Sequence, residues 1–128
     1  MSNLCQAVAL TLHLVSAHTD PTQNNINPGA GLQCFLNVHT SIGAGVYYNS
    51  QRRVSTYANV TATAPIGAGF RAGATIGGAT GYDYGPIAPV AGLVLVAPPV
   101  SGWSVGLFAG PKTSRNAGVL HLTLTRGL

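Results

Sequence analysis

From Ala7 to Arg126 the chain keeps returning to one rhythm, an apolar residue followed by a small or polar one. A period of two is the signature of the β-strand, whose successive side chains point to opposite faces of a sheet. Helix signals are nearly absent: Glu is missing, Lys occurs once, and Gly or Pro interrupts almost every window of a dozen residues. The strand-like runs recur at roughly ten-residue spacing, which is the pattern of sandwiches and barrels. The sequence therefore predicts one all-β domain over residues 1–128, with about eight antiparallel strands in a small closed barrel or a two-sheet sandwich.

Eight runs carry the pattern. The first, Ala7–Ala17, sets Val8, Leu10, Leu12 and Leu14 against Thr11 and His13. A polar loop to Gly29 precedes Gly31–Thr40, and Ile42–Asn49 follows. The fourth is Val54–Ala64, with Ser55, Tyr57, Asn59, Thr61 and Thr63 on its polar side. The fifth, Ile66–Gly77, is the most regular, with Gly at nearly every second position. Because Gly weakens a strand, that spacing calls for close packing or sharp curvature. Pro89–Ala97 is apolar on both faces, and Trp103–Ala109 and Val119–Arg126 complete the set.

Charged residues make up only 6% of the chain, against roughly 25% in ordinary soluble domains. Asp20 and Asp83 are the only acids, and the net charge is +4. So little charge fits a lipid-facing barrel, a protein held in a larger assembly, or a sticky soluble domain. The bases, Arg52, Arg53, Arg71, Lys112, Arg115 and Arg126, are too dispersed for a nucleic-acid surface. Cys5 and Cys34 form neither a disulfide framework nor a metal signature; two buried free thiols are expected, the alternative being a single bridge if the first two strands are neighbours.

Chemistry-bearing motifs are scarce. In the strand register, His13, His39 and His121 share a polar face with Tyr47, Asn49, Tyr57 and Arg71. Turned inward, that face would form a polar pocket able to move protons; turned outward, it is a set of scattered hydrogen-bonding side chains. The second reading is taken, and these seven residues are weak binding candidates with no catalytic assignment. His18 and Asp20 could be joined to Ser16 or His13 as a triad or metal site, but their spacing is not diagnostic. Asp20 before Pro21 reads as the start of a turn. No cofactor and no metal are expected.

The segments Asn-Asn-Ile-Asn-Pro-Gly-Ala-Gly-Leu (24–32), Ala-Gly-Val-Tyr-Tyr-Asn-Ser (44–50) and Ala-Gly-Ala-Thr-Ile-Gly-Gly-Ala-Thr-Gly-Tyr (72–82) resemble a family of small β-barrel proteins of bacteriophages and proteobacteria. The resemblance implies a compact barrel with no assigned activity. Some bacterial members carry a leader and look like small outer-membrane barrels, whereas phage members often lack one. Here the apolar run Cys5–Val15 has no basic segment before it and reads as a strand, not a leader.

Alternation alone does not say which face points inward. Several runs are shorter than the ~9 to 11 residues of a membrane strand, and one Trp and five Tyr make a thin aromatic girdle. The expectation is a non-enzymatic structural protein of a virion or host cytoplasm, such as a capsid-decorating protein. It would work through protein partners or self-assembly, without nucleic acid. The alternatives are a small outer-membrane barrel and an enzyme using the His-bearing polar face. Whether Phe70 or Arg71 points inward separates the first two.

Overall fold

The computed structural model describes residues 4–83, 85–111 and 118–128. Its elements are β1 (Ala7–His18), β2 (Ile26–Phe35), β3 (Thr40–Tyr48), β4 (Val54–Gly67), β5 (Phe70–Ala79), β6 (Ala88–Val96), β7 (Trp103–Gly110) and β8 (Val119–Gly127). Each strand pairs antiparallel with the next, and β8 returns to β1, so the sheet is a closed barrel and not a sandwich. Closure leaves no free sheet edge. The connections fall into two groups. Residues 36–39, 68–69 and 97–102 lie at the end that holds the termini, and residues 19–25, 49–53, 80–83, 85–87, 111 and 118 lie at the other, loop-bearing end.

The strands run from 8 to 14 residues, longer than several of the sequence runs. The largest shifts are in β2, which also ends earlier, at Phe35, and leaves His39 in a turn, and at the junction of β4 and β5. β2 starts at Ile26, so Asn27, Pro28 and Gly29 belong to the sheet and not to the loop. Pro28 has no N–H to give the ladder, and it is accommodated where the β1–β2 register slips between His13 and Val15. Ile66 falls in the last residues of β4 instead of opening β5, because Gly67, Ala68 and Gly69 all adopt positive φ and turn the chain back.

The two faces are dressed in reverse of a soluble domain. Leu32, Ile76 and Leu93 point outward and are 55%, 63% and 67% exposed. With them on the outside are Ile42, Val46, Val60, Phe70, Leu95, Val105 and Leu120. Asn27, Ser41, Asn49, Ser55 and Thr75 are buried, whereas the buried apolar residues among those described are only Ala9, Ala79 and Ala88. Arg71 is on the inner side, donating to Thr63 Oγ1 (3.1 Å), and Phe70 is outside. One wall of the lumen is apolar. There Val94 pairs with Phe108, whose ring fills the space a side chain at Gly92 would take. This explains why β6 reads as apolar on both faces.

The inward glycines are where the sheet bends most tightly. A Cβ on Gly73 would fall on the carbonyl oxygen of Ala62, and one on Gly77 would fall on that of Ala58. Neighbouring backbone cannot move aside as a flexible side chain could, so the regular Gly spacing of β5 is a curvature requirement.

The cysteines correct the expectation of free thiols and take the bridged alternative. Cys5 and Cys34 form a disulfide, with Cα atoms 5.1 Å apart. Because β1 and β2 are neighbours, the ladder continues past Ala7 through the Gln6 N–H to the Phe35 carbonyl (2.7 Å), and this sets Cys5 beside Cys34. Spacing along the chain carried no sign of this.

Gly73→Ala is expected to lower the denaturant midpoint by the equivalent of about 1–3 kcal/mol, the usual cost of overpacking. Gly127→Ala, where a Cβ meets nothing within 4 Å, should stay within about 0.5 kcal/mol of the parent. In denaturant without reductant, neither cysteine should take up a thiol alkylating agent. The bridge closes a sequence separation of 29, so its reduction should cost roughly 3 kcal/mol of stability.

Candidate functional site

The lumen is crossed by a chain of hydrogen bonds between side chains of three strands. The Ser16 hydroxyl of β1 donates to His121 Nδ1 of β8 at 2.7 Å. His121 Nε2–H donates to His13 Nδ1 at 3.0 Å, and His13 Nε2–H donates to the Tyr57 oxygen of β4 at 2.8 Å. This tautomer assignment satisfies every partner, and so does its reverse, with Tyr57 as first donor and Ser16 as last acceptor. In the strand order β4 lies three places from β1, almost opposite it in an eight-strand ring, so the relay spans the barrel from wall to wall.

Aromatic packing holds the relay in place. The His13 ring meets Tyr57 edge-on with centroids 5.1 Å apart, and Tyr47 lies 5.6 Å away. Tyr47 and Tyr57 also meet edge-to-face at 5.8 Å, and the Tyr47 hydroxyl bonds that of Tyr82 at 2.6 Å. A Cβ on Gly31 would collide with the Tyr57 hydroxyl, so that glycine makes room for the phenol. These rings pack against one another across the lumen.

Ser16 owes its place to a defect in β1. His13 pairs with Thr123 and Ser16 with His121, so three steps along β1 match two along β8. Strict alternation would put Ser16 on the outer face with Leu10 and Leu12. The bulge restores it to the His13 side and leaves Val15 outside, 45% exposed. The sequence reading carried the alternation through Leu14 and assigned Ser16 to neither face.

The sequence candidates separate into three groups. His13, Tyr47, Tyr57 and His121 come together in the relay and its packing. Asn49 sits nearer the loop-bearing end, fully buried, where it organises a turn. Its amide donates to Ser55 Oγ and to the Gly81 carbonyl, both at 2.9 Å, and its Oδ1 accepts from the backbone of Gln51 and Arg53. His39 and Arg71 are at the opposite end, by the termini. There the Arg71 guanidinium donates to the carbonyls of Val38 (2.5 Å) and Thr63 (3.2 Å) and lies 3.4 Å from His39 Nδ1. These two brace the 36–39 turn and do not join the relay. Below it, Gln33 donates to Ser41 (2.8 Å) and Thr61 to Thr75 (2.9 Å).

His18 and Asp20 do not form a triad with Ser16. The His18 ring bonds the Asn25 side chain at 2.6 Å. The Asp20 carboxylate accepts from the Thr22 backbone and hydroxyl and from Gln23. These bonds hold its pKa below the usual carboxylate range, the Thr22 backbone N–H first among them, in a loop-initiating turn as the sequence predicted. Both acids of the chain lie in loops, so the strand walls carry no carboxylate. Among the described residues there is no group of three metal-ligating side chains.

Similarity to known proteins lies in the fold. No protein-family profile and no curated protein matches the chain. Among solved structures, a de novo designed transmembrane β-barrel superposes with a TM-score of 0.77 at 12% identity, over 100% of both chains. The solution structure of the designed barrel TMB2.3 gives 0.74 at 16% identity, over 98% of this chain and 97% of that one. The N-terminal β-barrel domain of Pseudomonas aeruginosa OprF gives 0.66 at 12% identity, over 97% and 98%. Identities this low establish a shared architecture.

Tyr57→Phe removes the hydroxyl that ends the relay and leaves His13 Nε2 without its partner. We expect it to destabilise the barrel by about 1–3 kcal/mol in equilibrium unfolding, the usual cost of stranding a part-buried donor.

Proposed function

We propose that this protein is a small integral β-barrel of a bacterial outer membrane, with its lumen filled and not open as a pore. One observation carries the reading: the outward side chains are apolar around the whole ring, and the polar ones are gathered inside. In water an apolar belt that encircles a molecule is unlike the small, scattered apolar patches usual for a monomer. In hydrocarbon it is the favourable arrangement, and the closed barrel hydrogen-bonds every strand to a neighbour on each side.

Further features support it. Strands of 8–14 residues are of a length to cross a bilayer when tilted, for which about 9–11 residues are typical. Three of the loop-end connections are longer than any at the end holding the termini, the asymmetry of outer-membrane barrels. On the outer face near the termini, Trp103 stacks with the Arg126 guanidinium 5.4 Å from its ring centre, and Phe70 lies at the same end. Aromatic residues favour the height where a bilayer meets water. The disulfide suits a protein exposed to the oxidising bacterial periplasm. The designed transmembrane barrels and the OprF domain share the architecture.

The virion expectation needed the apolar residues to be covered by neighbouring subunits. A protein interface is a patch, whereas this dressing runs around the circumference, which suits a lipid annulus better. Arg71 inside and Phe70 outside point the same way.

The purified chain should require detergent or lipid, migrate faster on electrophoresis unheated than boiled, and insert into vesicles without ion conductance. Leu93→Arg, near the middle of β6, should cost about 2–4 kcal/mol of folding free energy in vesicles. A monomer that stays folded and soluble in plain buffer would end this reading.

A further inference from the structure

We propose that Ser16 is a nucleophile, with His121 as its general base and His13 as the residue that positions His121, and that this triad hydrolyses small carboxylic esters entering from the loop-bearing end. Three observations meet at this site. The Ser16 hydroxyl lies 2.7 Å from His121 Nδ1, within reach for proton transfer. The far nitrogen of His121 is held by His13 at 3.0 Å, and His13 is itself held by Tyr57 at 2.8 Å, so the base has one fixed tautomer when Ser16 is the donor. Nucleophile, base and orienting group thus occur in the order that activated serines require. The third observation is the bulge. Its slip against β8 turns Ser16 into the lumen, and bulges recur where a strand must re-aim a functional side chain.

Access is from one side. Ser16 is two residues from the end of β1 at the loop-bearing rim, and it is only partly buried. On its far side the His121 imidazole is backed by His13, which packs against Tyr57 and Tyr47. A substrate coming from that rim meets Ser16 at the loop-side end of the relay.

The step balances as follows. Ser16 Oγ bonds to the ester carbonyl carbon while its proton passes to His121 Nδ1. The carbon–oxygen bond to the leaving alcohol breaks, and that oxygen takes the proton. Water then attacks the acyl carbon, gives a proton to His121, and the carboxylic acid leaves as Ser16 recovers that proton. His13 is neutral where serine hydrolases commonly place a carboxylate, so it stabilises the transient imidazolium less. That directs the site to esters, whose alcohol leaves readily, and not to amides.

The test uses the full folded chain in detergent micelles, where it does not depend on the membrane reading. A fluorophosphonate probe should modify Ser16, identified by peptide mass spectrometry, and p-nitrophenyl acetate should be turned over. Ser16→Ala should abolish both. His121→Gln should lower kcat by at least about a hundredfold, the usual share of a general base. His13→Gln should lower kcat and leave KM close to the parent value, a split that mere loosening of the barrel would not give. Circular dichroism and the unheated gel band verify that each variant folds. A folded parent protein whose Ser16 stays unmodified, or whose labelling survives His121→Gln, overturns the proposal.

Discussion

The closing of β8 onto β1 is the constraint on which the remaining features depend. A sheet of eight strands with free edges would present unpaired N–H and C=O groups, and an apolar outer face would then aggregate edge to edge. Closed, the ladder satisfies those groups internally, and the outer side chains can be apolar throughout. The same closure fixes how little room there is inside. Eight strands enclose a space that side chains alone can fill, so small and large residues must alternate around it. The glycines of β5 bring backbone close to backbone, and the bulk absent there is supplied by Tyr47, Tyr57, His13 and Phe108.

Much of this was legible in the sequence. Eight alternating runs gave the strand number, and the Gly spacing of β5 gave the curvature. The polar faces of β1, β4 and β8 gathered His13, Tyr57 and His121 onto one surface before any pairing was known. What the letters did not contain was a sign. Alternation has the same form whether Leu93 faces lipid and Thr75 the lumen, or the reverse. Only curvature decides, and curvature is a property of the closed sheet.

Other features were illegible for a different reason, since they depend on two strands at once. The boundary of β2 lay hidden because Asn-Pro-Gly is a turn signal locally, yet here the β1–β2 irregularity accepts Pro28 within the ladder. The disulfide needs β1 and β2 side by side, and nothing in the separation of Cys5 from Cys34 says that they are. Asn49 was grouped with the histidines by parity, but its backbone position at the end of β3 makes it a turn anchor.

The bulge in β1 joins these strands of argument. An unbroken period of two from Val8 would carry Ser16 to the outer face and Val15 to the inner one. A hydroxyl would then lie in the apolar belt and an isopropyl group against His121. One extra residue reverses both placements: Val15 rejoins the outward apolar set and Ser16 meets the imidazole. A slip that only relieved strain could have fallen anywhere along the strand. Falling between His13 and Ser16, it keeps the outer surface continuous and completes the relay together, so the exterior that suits lipid and the interior that suits proton transfer rest on a single local departure from regular pairing.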